Sequence, residues 1–167
     1  AMHFSGSNRG GDLVTGSVNY EAPRIRLQSD IGYGKFEGFQ FGTFSRGGYA
    51  AAFDLAGSFQ VRENLAVQAR YTKIGENFLS PQSGLREPLD LRAFGVTWSP
   101  INWLSTSFNA SSSRRPGDNT QNNKFATVAF AITPGAGAPR FYFAHTQSST
   151  SLVRSSAFTM LNASKDF

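Results

Sequence analysis

The chain has 167 residues, enough for one domain, and no cysteine, which removes disulfide frameworks and thiolate metal sites. With only His3 and His145 a His-rich metal cluster is excluded as well, and no cofactor motif is present. Charged residues are 16% of the chain, below the roughly 25% of soluble domains. The net charge of +5 is scattered, with Arg114-Arg115 the one adjacent basic pair, so the footprint of a nucleic-acid binder is missing.

Residues 1–11 (Ala1-Met2-His3-Phe4-Ser5-Gly6-Ser7 onward) are polar and glycine-rich. They lack the basic and apolar regions of a signal peptide and read as a lead-in. The rest, 12–167, reads as one antiparallel β unit. The first strand covers 12–22 and ends at the turn Glu21-Ala22-Pro23. In 23–34, Ile25, Leu27, Ile31 and Tyr33 share one face, with Ser29 among them, and Arg24, Arg26, Gln28 and Asp30 share the other. This alternation of period two is the mark of a strand with one apolar face. A long connection, 34–48, follows; its aromatic stretch from Phe36 to Phe44 reads as an extra strand, an outer loop or an extension of the neighbouring strands.

In 49–61, Phe53, Leu55, Phe59 and Val61 oppose Asp54, Ser58 and Gln60. The short turn Arg62-Glu63-Asn64 leads into 64–74, where Leu65, Val67, Ala69 and Tyr71 oppose Ala66, Gln68, Arg70 and Thr72. After the connection 74–88, the strand 89–99 sets Phe94, Val96 and Trp98 against Ala93, Gly95 and Thr97, while Leu89 and Leu91 break the pattern. The turn Ser99-Pro100-Ile101-Asn102 precedes 103–112, with Leu104, Thr106, Phe108 and Ala110 on one face. The loop 112–123 leads to 124–133, with Val128, Phe130 and Ile132 on one face. A turn at 133–137, a strand at 139–148, a connection at 147–156 and a strand at 155–167 complete the chain.

Short turns and long connections thus alternate, with strands of about ten residues between them. That rhythm predicts an all-β, antiparallel up-and-down meander: a transmembrane β-barrel or part of one, with about eight to ten strands. No stretch approaches the ~18 apolar residues of a membrane helix, and mean hydropathy is −0.30. Barrel strands need only every second residue to be apolar. Nine strands are counted directly, an odd number for a closed bacterial barrel, which suggests either a tenth strand or a piece of a larger barrel. Tyr71, Trp98 and Trp103 lie at strand ends and are candidates for an aromatic girdle. Arg24, Arg26, Gln68, Arg70, Asp90 and Arg92 are candidates for the lumen wall, where their cationic excess implies anion preference. His145, with Ser148 and Ser149 nearby, has the residue types of a hydrolase site but no motif. No catalytic site is expected.

The hairpin Leu55-Ala56-Gly57-Ser58-Phe59-Gln60-Val61-Arg62-Glu63-Asn64-Leu65-Ala66-Val67-Gln68-Ala69-Arg70-Tyr71, the loop entry Gly75-Glu76-Asn77-Phe78 and the hairpin around Ser99-Pro100-Ile101-Asn102-Trp103-Leu104 resemble large outer-membrane β-barrel proteins of Gram-negative bacteria, of the porin or transporter kind. Pro139-Arg140-Phe141-Tyr142-Phe143 and the stretch from Thr159 to Phe167 resemble strands of such barrels, and a terminal Phe resembles their assembly signal. The resemblance implies a pore, transport channel or membrane scaffold in the bacterial outer membrane. Its partners are the lipid bilayer and, for a barrel segment, the rest of a larger barrel or other subunits. The alternative is a secreted or cell-surface antiparallel sandwich or barrel that binds a glycan or small ligand, because a soluble sheet shows the same alternation with its faces exchanged.

Overall fold

The computed structural model describes the chain apart from residues 1, 7–8, 42–43, 76–77, 81–83, 86–87, 117–120, 136–137, 152–154 and 166–167; side chains are not described for 2–6, 9–11, 36–41, 44–48, 79–80 and 84–85. All its regular structure is β. The strands are β1 (Met2–Gly6), β2 (Arg9–Ala22), β3 (Ile25–Phe41), β4 (Phe44–Arg62), β5 (Leu65–Ile74), β6 (Leu79–Ser80), β7 (Gly84–Leu85), β8 (Leu89–Ile101), β9 (Leu104–Arg115), β10 (Gln121–Ile132), β11 (Arg140–Thr150) and β12 (Ser156–Ser164).

Ten of them form one sheet in the order β1-β2-β3-β4-β5-β8-β9-β10-β11-β12, and β6 pairs with β7 in a small hairpin within the β5–β8 connection. Every pair is antiparallel and every neighbour is next in sequence within the sheet, so the expected meander is the observed one. Among the described residues β1 and β12 are edge strands with one partner each.

Three sequence expectations change. Residues 1–11 are not a lead-in: Met2–Gly6 pairs with residues 9–13 of β2. The 34–48 connection is mostly strand, because β3 and β4 remain paired up to Phe41 and Phe44. This settles the aromatic stretch as an extension of its neighbours. The 99–102 turn shifts by a residue or two, since β8 runs through Ile101 and the turn is Asn102–Trp103. A register shift between Trp98 and Ile101 holds Pro100, which has no N–H to give a regular ladder and suits such an irregularity. Phe167 lies outside the described residues.

The turns follow their chemistry. Pro23 opens a two-residue turn with its preset φ. Gly135, at φ 131°, takes a backbone conformation that side chains disfavour and ends the β10–β11 connection's first half.

There is little core. The accessible surface is 12009 Å², against roughly 8,000 Å² for a compact monomer of this mass. Leu13, Ala50 and Phe78 form one buried cluster, with Ala52 and Ile74 packed against it; Ala129 and Ala144, directly opposed on β10 and β11, are also buried. The sheet has no second layer among the described residues. Large apolar side chains such as Val18 (67% exposed) and Ile31 (52%) stand free on it.

Candidate functional site: a polar concave face behind an apolar wall

The register assigns each residue to a face, because residues directly opposite on neighbouring strands point the same way. One row reads Ala22, Ile25, Phe59, Val67, Val96, Phe108, Val128 across β2 to β10. The next, toward the short turns, reads Leu65, Trp98, Thr106, Phe130, Phe143, Leu161. Phe53, Leu55 and Phe94 share the same parity. The apolar halves of the sequence alternation therefore combine into one continuous face.

The opposite face is polar or small. It carries Thr15, Ser17 and Asn19 on β2, Arg26, Gln28 and Asp30 on β3, Asp54 and Ser58 on β4, Gln68, Arg70 and Thr72 on β5, and Asn109 and Ser111 on β9. Where it is not polar it is often Gly or Ala: Gly32, Gly95, Ala129 and Ala144 are all buried here. Small residues belong on the inside of a curved sheet, where side chains converge. The convergence is direct at Gly95. The Gln68 amide on β5 donates to Asn109 Oδ1 on β9 at 3.5 Å, crossing over β8, and a Cβ at Gly95 would lie 2.7 Å from both side chains. A groove of about 860 Å³ opens on this face, lined by Asn19, Arg26, Gln28, Ser58, Gln68, Arg70 and Asn109 among others.

Its charges are paired. Arg70 binds Asp54 with two nitrogens, at 3.1 and 2.7 Å, and the Thr72 hydroxyl donates to the same carboxylate at 2.7 Å. Arg26 meets Glu21, its register partner, at 2.9 Å. The Gln28 amide donates to Asp30 at 3.0 Å.

Of the six lumen candidates, Arg26, Gln68 and Arg70 come together here, and Arg24 sits in the adjoining turn. Asp90 and Arg92 do not. Their register partners are Lys73 and Tyr71, on the apolar face, and the Arg92 guanidinium lies 5.8 Å from the Tyr71 ring centre. Leu89 and Leu91, which broke the pattern, are on the concave side: near the long connections the polarity of the two faces exchanges. Asp30, which shares a face with Arg24 and Arg26 in the sequence, is on this side too; the acids missed as wall residues are Glu21 and Asp54, for which strand parity with Asn19 and Ser58 was the signal. Arg115 on β9 and Arg140 on β11 also lie on the concave face, so with the acids included the cationic excess of the strands' concave face falls to one.

His145 lies on the apolar face, and its Nδ1 meets Thr159 Oγ1 at 2.9 Å. Ser148 has the opposite parity and meets Ser156 at 2.7 Å, so these two are not brought together. Of the girdle candidates, Tyr71 and Trp98 are both on the apolar face, at opposite ends of its band, and Trp103 is in the short turn.

The edge of the apolar face is slanted. Phe53 on β4 lies in one hydrogen-bonded row with Lys73, Asp90, Arg114 and Asn122, and Asn122 accepts from the Ser151 amide at the end of β11. The row turns from apolar to charged between β4 and β5. One row down, the change comes after Tyr71. In the row of Phe59 and Val67 it comes only at His145, and in the row of Trp98 and Phe130 the face stays apolar through Leu161. On β11 the first large apolar residue is thus Phe143, reached from position 151 down to 143 over the five strand steps from β4. With about 3.3 Å per residue and about 4.8 Å per strand, the edge slopes at roughly 40–50° to the rows.

No family model, no curated protein and no solved structure matches this chain.

Proposed function

We propose that the chain forms the wall, or part of the wall, of a water-filled β-barrel pore in a bacterial outer membrane. The observation that carries this reading is the slanted apolar edge. An apolar band that is level in a bilayer must cross the rows of a tilted sheet at the strand tilt, about 35–45° in membrane barrels. A second sheet packed on this face of an aligned sandwich would cross at about 30°, a shallower angle than the edge observed here.

Two further observations support it. An exposed apolar face and a concave polar face are the arrangement of a barrel with lipid outside and water within. Strand β5, with 10 residues, has the length of a tilted crossing, about 9–11 residues, and β9, with 12, exceeds it by one. Sheet edges left open in lipid would cost several kcal/mol for each unpaired backbone group. The edges at β1 and β12 therefore close on further strands, from other subunits or from the rest of a larger barrel.

The test is refolding into phosphatidylcholine vesicles, followed by flotation and conductance across a planar bilayer. The protein should float with the lipid and give discrete conductance steps. A monodisperse, detergent-free soluble protein that ignores vesicles would reject the reading.

A further inference from the structure

On the apolar face, the first charged side chain beyond the apolar band toward the long connections is Lys73 on β5, Arg92 on β8, Arg114 on β9 and Lys124 on β10. All four are exposed. They occupy two adjacent rows: Lys73 and Arg114 flank Asp90, and Arg92 and Lys124 flank Ser112. Each flanking pair is two strand steps apart, roughly 10 Å. Four cations stand against one acid, and that acid is bonded to Arg92 at 3.3 Å. On β3 the corresponding cation, Lys35, just above Tyr33, has the acid Asp12 as its register partner and its ammonium 6.0 Å from the Tyr49 ring centre, so the uncompensated cations are those of β5 to β10. At the other border of the band the cations are Arg24 and Arg62, in and beside the short turns, while Trp98, Ile101 and Phe141 are uncharged.

We propose that this cationic row binds the phosphate groups of anionic lipid headgroups in the leaflet on the side of the long connections. The inference rests on the membrane reading above and adds a ligand to it. All four stand beyond the slanted edge of the apolar band, Lys73 and Arg92 two residues past Tyr71 and Phe94, Lys124 and Arg114 four and six residues past Val128 and Phe108, so in a bilayer they are spread through the depth of the headgroup layer outside the acyl chains. Tyr71 sits just inside the edge, beneath Arg92, where an amphipathic ring prefers to be. Long Lys and Arg side chains rooted there extend among the headgroups, and their ~10 Å spacing is comparable with the screening length, so their fields add only over neighbouring headgroups. A single Lys or Arg near an anionic surface changes occupancy by about fivefold.

The experiment uses the full chain in phosphatidylcholine vesicles with trace nitroxide-labelled phosphatidic acid or nitroxide-labelled phosphatidylcholine. Electron paramagnetic resonance reads the protein-bound fraction of each. The parent should prefer phosphatidic acid several-fold. The combined variant Lys73→Gln, Arg92→Gln, Arg114→Gln, Lys124→Gln should bring the ratio near one, and Asp90→Asn should raise it. Removing two cations at the opposite rim, Arg24→Gln with Arg62→Gln, should leave it unchanged. An unchanged ratio in the combined variant, an equal loss in the opposite-rim variant, or displacement of the labelled lipid by inorganic phosphate would overturn the proposal while leaving insertion into phosphatidylcholine intact. Failure of the parent to enter phosphatidylcholine vesicles would overturn the membrane reading and this inference together.

Discussion

The ring of Phe78 rests on Gly32: a Cβ built on that glycine would lie 2.9 Å from the ring. Phe78 comes from the β5–β8 connection and packs on the concave side with Leu13 and Ala50, and the backbone beside it is held by the Gly75 amide donating to Ala51 O at 2.9 Å. Gly32→Val should displace the ring, at a cost of about 1–3 kcal/mol for overpacking. Hydrogen exchange at the Gly75 amide should quicken in this variant and in Phe78→Ala, while amides at the centre of β9 and β10 keep their protection. Unchanged exchange at Gly75 would show that the contact does not anchor the connection.

The two faces were legible in the sequence because side-chain direction in a strand has a fixed period of two. Phe53, Leu55, Leu65, Val67, Phe94, Val96, Phe108, Val128 and Phe130 fall on one face in the register as their spacing implies. Parity failed at Asp90 and Arg92 because it says only which residues share a strand face, and a charged residue was taken to mark the wet side. Near the long connections the apolar face itself leaves the band and becomes charged. Register, which sets how high each residue stands against its neighbours, is a property of strand pairing and is not written in one strand. The strand β1 was missed because its alternation, Met2 and Phe4 against His3 and Ser5, is too short to stand out beside the glycine-rich stretch that follows; pairing with residues 9–13 reveals it.

Leu55 and Ser58 lie on β4 with opposite parity, Leu55 on the exposed apolar face and Ser58 in the groove. Leu55→Arg should lower stability in a bilayer by about 2–4 kcal/mol, the cost of a cation facing lipid near mid-depth. Ser58→Arg should stay within about 0.5 kcal/mol, as for an exposed surface change. Urea unfolding from phosphatidylcholine vesicles measures both. Equal tolerance of the two would mean the apolar face does not meet lipid.

The absence of cysteine allows single-site labelling without a background thiol. Asn102 sits in a short turn and Ser151 just beyond β11, at opposite ends of the strands. In vesicles with one dominant orientation, Asn102→Cys and Ser151→Cys should be reached by a membrane-impermeant maleimide from opposite sides. Label entering both from the same side would contradict strands that span the bilayer.

The described concave-face side chains Glu21, Arg26, Asp30, Asp54, Arg70, Arg115 and Arg140 are four cations and three acids, one net positive charge, so a pore lined by this face is expected to prefer anions weakly. Arg70→Glu takes that sum to minus one, and Asp54→Asn takes it to plus two and releases Arg70 from its carboxylate. The reversal potential under a KCl gradient should therefore move toward cation preference in the first variant and toward anion preference in the second. Folding should survive both, because the Arg70 side chain is 54% exposed and such a pair contributes at most about 1 kcal/mol. The shifts should shrink as salt is raised, since a charge on a wide lumen wall acts over only about 8 Å at physiological ionic strength. Two variants with the parent's reversal potential at low salt would place Arg70 and Asp54 away from the conducting path.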